Sequence, residues 1–229
     1  MPTSVGVMIL SNAVLFPGAM LPLRIFEPRY RAMLKDALAT HRMFCVAMQR
    51  PQGSRESPLP VAGLGVVRYA VRDEDGTSRL LIQGVARVKL GRAKRYKPFR
   101  VHPIQPLSSE VEDSPALDAL RYKVLEMVEQ RLRTSPPFSE ELFRSLTKGN
   151  PSPDPVEACM KSLRAMAHPG QLADIIALLM VDDPFFRHMI LQSHDLAQRY
   201  RNLVFLLREP SEPFGDNPLD DGTEDQDVE

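Results

Sequence analysis

The chain has 229 residues, 43% of them hydrophobic, and its 29 Lys and Arg balance 29 Asp and Glu. That length buries a core without covalent staples, and Cys45 and Cys159, with no CxxC spacing and no Cys/His cluster, exclude a disulfide framework and a thiolate zinc site. No uncharged apolar run approaches the ~20 residues that span a bilayer, and MPTSVGVMIL lacks a signal peptide's basic start and long apolar run, so the expectation is a soluble, cytoplasmic protein with no membrane partner.

Strand rhythm runs to about Leu107. Val5–Leu10 reads as a short apolar strand, and Phe16-Pro17-Gly18 has Pro and Gly in type II turn order. Strand Met20–Phe26 gives way to helix Pro28–Ala39, where Tyr30, Met33, Leu34, Ala37 and Leu38 form one stripe of 3.6-residue period. Pro28 suits the first helical position, whose N–H has no partner anyway. Arg42–Met48 is a third strand, and RPQGSRESPLP is a polar, proline-rich loop. Strands Ala62–Arg72 and Arg79–Val88 flank DEDGTS, whose Asp75-Gly76 marks a hairpin. Phe99–Gln105 closes the strand-rich part.

Helical periodicity follows. Ser114–Arg133 carries a core stripe of Leu117, Leu120, Val124, Leu125, Val128 and Leu132. Helices are then expected at Phe138–Thr147, Asp154–Ala167 and Pro169–Val181, with one long helix from Pro184 to about Arg208. The remainder has almost no apolar content and is expected to be a disordered acidic tail. The order predicts an α+β protein with its helices segregated at one end: a β-rich lobe over 1–107, a helical lobe over 108–209 and a tail over 210–229.

The zero net charge conceals an asymmetry. Nine of the 29 acids and none of the bases lie in residues 209–229, which leaves the body at about +9. Seven bases crowd RVKLGRAKRYKPFR: Arg87, Lys89, Arg92, Lys94, Arg95, Lys97 and Arg100, interleaved with Tyr96 and Phe99. This candidate anion-binding strip reads as a solvated strand face, as a contact for acidic protein or the acidic tail, or as a surface for single-stranded nucleic acid. Tyr96 and Phe99 have opposite parity, so at least one ring is expected to point inward.

A second charged set, Arg24, Glu27 and Arg29, sits where strand meets helix. Glu27 is placed to accept the free N–H groups of the helix start, with Arg24 or Arg29 as its ion partner. A protein-binding role for the three stays open, because such corners present side chains on a rigid scaffold. The histidines, His41, His102, His168, His188 and His194, include no i,i+4 pair, so no shared metal is expected. There is no GxSxG, and Lys161 and Ser162 diverge on a helix. Cys45, in an apolar strand, reads as a small buried hydrophobe. Met127, Met160, Met166, Met180 and Met189 fill a core or make an adaptable apolar surface, and a groove between the lobes is the expected place for a ligand.

The series LFPGAMLPLRIFEPRYRAMLKDAL, then GLGVVRYAVRDEDGTSRLLIQGVARVKL and YKPFRVHPIQPL, resembles the N-terminal substrate-binding domain of Lon proteases. LADIIALLMVDDPFFRHMILQSHDLAQRYRNLVFLL is similar to the helical portion that follows it in that family, so the likeness runs from about Ser4 to Leu207. No GxxxxGK[ST] phosphate loop is present and no stretch offers a serine–lysine peptidase, so the resemblance is to stand-alone Lon N-domain proteins. It implies a PUA-like β-barrel lobe with one early helix, followed by an α-helical bundle lobe. It also implies a non-enzymatic module without cofactor or metal, with unfolded or partly exposed protein segments or a protein partner as ligands. An RNA-binding PUA-like module using Arg87–Arg100 is the alternative.

Overall fold

Six apolar or alternating runs form strands: β1 Ser4–Leu10, β2 Met20–Ile25, β3 Met43–Gln49, β4 Pro58–Arg72, β5 Ser78–Leu90 and β6 Val101–Leu107. In this computed structural model, which describes residues 1–51, 56–108, 114–134 and 154–208, they join one sheet in the order β2-β5-β4-β3-β1-β6. β1 and β3 run parallel, Val7 opposite Cys45. That pairing needs a crossover, and helix α1, Pro28–Ala39, lies within it. β6 pairs with β1 at Ser4–Gly6 and also with the end of β5 at Arg87–Leu90, so the sheet curls back onto its own fifth strand.

β4 and β5 form the long hairpin, turning at Gly76 with φ +78°. That backbone is open to glycine at no steric cost. Gly63 and Gly84 face the chain that leads into β2: a Cβ on either would lie 2.0 Å from the carbonyl oxygen of Leu15 or Phe16. The absent side chains let Leu15 and Phe16 lie flat against the hairpin, where both are fully buried. α1 covers one face of the sheet with Tyr30, Met33, Leu34 and Ala37. Leu38, expected in that stripe, is exposed instead, because it lines an open groove between the helix and the hairpin.

The α+β class holds. After the strands come α2 Pro115–Thr134, α3 Pro155–Arg164, α4 Pro169–Met180, α5 Pro184–Gln192 and α6 Leu196–Arg208. Leu117, Val124, Leu125, Val128 and Leu132 of α2 are buried, and their cluster takes in Val14, Phe16 and Val61 from the β-rich part. The helical core is continuous with the sheet.

Two expectations need correction. The long helix after Pro184 is two helices: Ser193 leaves helical geometry at ψ 103°, and the Asp195 carboxylate accepts the Ala197 N–H at 2.9 Å to open α6. Ser and Asp compete with the helix for backbone hydrogen bonds, which favours ends over interiors. Pro58–Pro60, expected in the loop, opens β4 with Pro58 opposite Gln49 beside a bulge; the first positions of a strand tolerate proline's missing donor. The expected helix Phe138–Thr147 and the acidic tail lie outside the described residues.

Candidate binding surface

At the strand–helix corner Glu27 occupies the N-cap of α1, yet its side chain caps no N–H. This corrects the expected capping. The Glu27 carboxylate is taken by Arg29, whose Nε donates to it at 2.7 Å. Arg29 also holds Glu56 through both of its terminal nitrogens. The hydrogen bonds that Arg29 donates to Glu56 and Glu27 push its guanidinium further toward the charged form, against the cost of burial. Arg24 points elsewhere, meeting Asp75 at 3.5 Å on the exposed surface, a contact of small energetic weight.

The basic strip does not survive as one face. Arg87 is buried, and donates to the Leu191 carbonyl at 3.0 Å and to the carboxylate of Asp174. Lys89, Arg92, Lys94, Arg95 and Lys97 are exposed, and Arg100 is half-buried. The rings split as parity required: Phe99 is buried and Tyr96 exposed. Arg95 stacks over Phe99 at 4.4 Å and Arg100 over Tyr96 at 5.3 Å. The fold also joins the two charged sets. Arg29, Glu56, Tyr96, Lys97 and Arg100 surround a pocket of about 240 Å³ floored by Val7, Ile9 and Phe99. Glu56 escaped notice because it sits in the polar loop, with no periodicity to mark it.

A wider groove of about 770 Å³ runs between α1 and the β4–β5 hairpin. Ala32, Leu34, Leu38, Ala70 and Val71 give it an apolar floor, and Arg31, Lys35 and Arg72 rim it with positive charge. Its helix side is the face on which Leu38 lies exposed. Such a surface suits an extended apolar segment that carries acidic residues.

The junction between helices and sheet, expected to hold the groove, is filled. Asp174 on α4 lies between Arg87 on β5 and Arg199 on α6, and all three are buried. Arg199 also donates to the Ser193 carbonyl at 2.9 Å. Burial, then the nearby Arg87 charge, lowers its pKa to about 10, against the pull of Asp174. His188 donates from Nε2 to the Val61 carbonyl at 3.0 Å, a second polar tie from α5 to β4. Sequence reading missed this cluster; the signal was a lone Asp in the apolar run LADIIALLM. Met160 and Met180 are buried and Met127 and Met166 pack against the same core, so methionine here serves mainly as filling.

Among the described residues, no group of three or more His, Cys, Asp or Glu is placed to hold a metal ion. No helix among them is long and apolar enough to cross a membrane. Burial raises the pKa of the Cys45 thiol far above its usual value, which suppresses the nucleophilic thiolate.

The family model described as the ATP-dependent protease La (LON) substrate-binding domain matches residues 4–209. A Lon protease of Roseiflexus castenholzii is 26% identical over 212 residues, 91% of this chain and 24% of that protein. Lon protease 2 of Myxococcus xanthus is 29% identical over 222 residues, 92% of this chain and 24% of that protein. The chain therefore spans about a quarter of the length of these relatives and matches neither their ATPase nor their protease regions. Among solved structures, the N-terminal domain of a Mycobacterium avium complex Lon protease superposes with a TM-score of 0.68 at 15% identity, covering 90% of this chain and 98% of that one. A Lon N-terminal domain protein from Xanthomonas campestris gives 0.59 at 21% identity, covering 89% and 98%. At these identities the likeness shows a shared fold.

Proposed function

The chain belongs to the family of Lon substrate-binding domains, and from that premise we propose that it is a non-catalytic, cytoplasmic recognition module for unfolded or partly exposed protein segments. The observation that carries this reading is the apolar, basic-rimmed groove between α1 and the hairpin, on a chain whose family is defined by substrate binding. A segment laid there buries its apolar side chains against Leu38, Ala70 and Val71, and its acidic residues meet Arg31, Lys35 and Arg72. Apolar contact supplies affinity and the charged rim sets orientation and capture rate. In this reading the module holds or delivers its ligand and does not itself unfold or cut it. In this reading the strands of 1–107 carry the groove and the helices of 108–209 buttress it. Glu27 and Arg29, with Glu56, hold the corner beside it together.

The test is binding of a fluorescent, reduced and alkylated model polypeptide to the full chain, read by anisotropy. Micromolar affinity is expected, together with a loss of about tenfold, or ~1.4 kcal/mol, on Leu38→Glu or Ala70→Glu. Leu38 is exposed and Ala70 half-buried, so the thermal midpoint of each variant is measured alongside to show that it is folded. Absence of binding at ~100 μM, or affinity indifferent to both substitutions, rejects the groove as the docking site.

A further inference from the structure

A third concavity, which shares no lining residue with the apolar groove, is edged by three arginines. It has a volume of about 350 Å³ and is lined by Arg50, Arg92, Tyr96, Arg100 and His102 beside Leu59, with no Asp or Glu in its wall. Arg50 and Arg92 are exposed and form no ion pair among the described residues. Exposed Lys89, Lys94 and Lys97 stand in the same strand-and-loop segment. In the cavity wall His102 is 94% buried. Its Nδ1 lies 2.8 Å from the Gly91 carbonyl and so donates to it, whereas Nε2 is buried with no partner among the described residues. Buried polar atoms in folded proteins nearly always have a partner. The concentrated positive charge of this wall points to an acidic ligand.

We propose that this ligand is the chain's own acidic segment, residues 209–229, docked against the Arg50–Arg92–Arg100 cavity. That segment holds nine carboxylates and no base, against a body of about +9. Length permits the contact. Twenty-one residues beyond Arg208, at up to ~3.3–3.6 Å each, reach about 70 Å, whereas a domain of this size has a radius of gyration of about 17 Å. Covalent attachment supplies an effective concentration in the millimolar range, so several weak ion pairs suffice. Phe214 and Leu219, the only large apolar residues of the segment, have Leu59 and Leu90 in the cavity to meet. The consequence is an internal competitor: any outside acidic ligand of this face must displace the segment first. The site is separate from the groove beside α1, so either assignment stands or falls without the other.

Zero-length carbodiimide coupling of carboxylates to lysines in the full chain, followed by peptide mass spectrometry, decides the matter. The expected products are links within one chain from residues 209–229 to Lys89, Lys94 and Lys97, several-fold more abundant than links to Lys35, Lys123 or Lys161. They fall several-fold in Arg50→Glu/Arg92→Glu, a doubly exposed substitution, and at about 1 M salt, where the Debye length is ~3 Å. An even spread over all lysines overturns the proposal. So do links gathered at Lys35 beside the apolar groove, links between chains, or yields that ignore the arginine substitutions.

Discussion

At the scale of single residues the largest stakes lie at Asp174, where one carboxylate faces two buried guanidinium groups. Removing it leaves Arg87 and Arg199 buried without the carboxylate that they share. Loss of one member of a buried pair costs about 3–5 kcal/mol. Asp174→Ala is expected to lower stability by that amount in urea denaturation, and a loss under about 1 kcal/mol would mean that water reaches the guanidiniums. His188 adds a dependence on pH. Burial holds its pKa below the ordinary 6.5, outweighing the Val61 hydrogen bond. A depressed imidazole stays neutral in the fold while the unfolded chain takes up the proton. Stability from this residue is therefore complete above about pH 6.5 and drains away as pH falls toward the native pKa. Urea midpoints between about pH 5 and 7.5 should show that slope, and His188→Gln should flatten it. An unchanged slope in the variant would assign it to other groups.

Between elements, close backbone approach governs what the hairpin tolerates. Gly84 and Gly63 leave no room for a methyl group, since the blocking atoms are backbone oxygens of Phe16 and Leu15 and cannot swing aside. Gly84→Ala is expected to destabilise by at least the ~1–3 kcal/mol typical of overpacking, measurable as a lowered thermal midpoint. Gly18, with φ +81° and open space around it, offers a contrast in which the cost is purely conformational. The α5–α6 break works by similar local rules. Ser193 and Asp195 end one helix and start the next, and the turn brings the Ser193 carbonyl within 3.1 and 2.9 Å of Arg199. A straight helix would carry that carbonyl along its own axis and leave the guanidinium without it.

For the whole molecule, sheet and helices share one core. Val14, Phe16 and Val61 belong to the helical cluster, and Arg87 and His188 tie strand to helix through polar contacts. Burying so much across the junction favours cooperative unfolding. Amide protection in β5 and α4 should be lost at the same urea concentration in hydrogen-exchange mass spectrometry. Separate midpoints would show two independent lobes. Cooperativity also bears on recognition, since a groove walled by α1 and the hairpin keeps its shape only while the sheet behind it is held.

Much of this architecture was legible in the order of residues. Period-2 and period-3.6 patterning depends on local geometry, so α1 from Pro28 to Ala39 and the Asp75-Gly76 hairpin could be placed from neighbours alone, and the LPLRIFEPRY series was enough to indicate the family. What a charged side chain meets is another matter. Arg87 alternates along β5 like a solvent-facing base, yet pairs with a residue 87 positions away, and Glu56 reaches Arg29 across 27. Long-range pairing depends on which surfaces packing brings together, because a charge carries no periodic signature of its partner. For that reason the elements followed from the chain, whereas the division of the bases into an interior lock, a groove rim and an open cationic cavity was decided only by the tertiary fold.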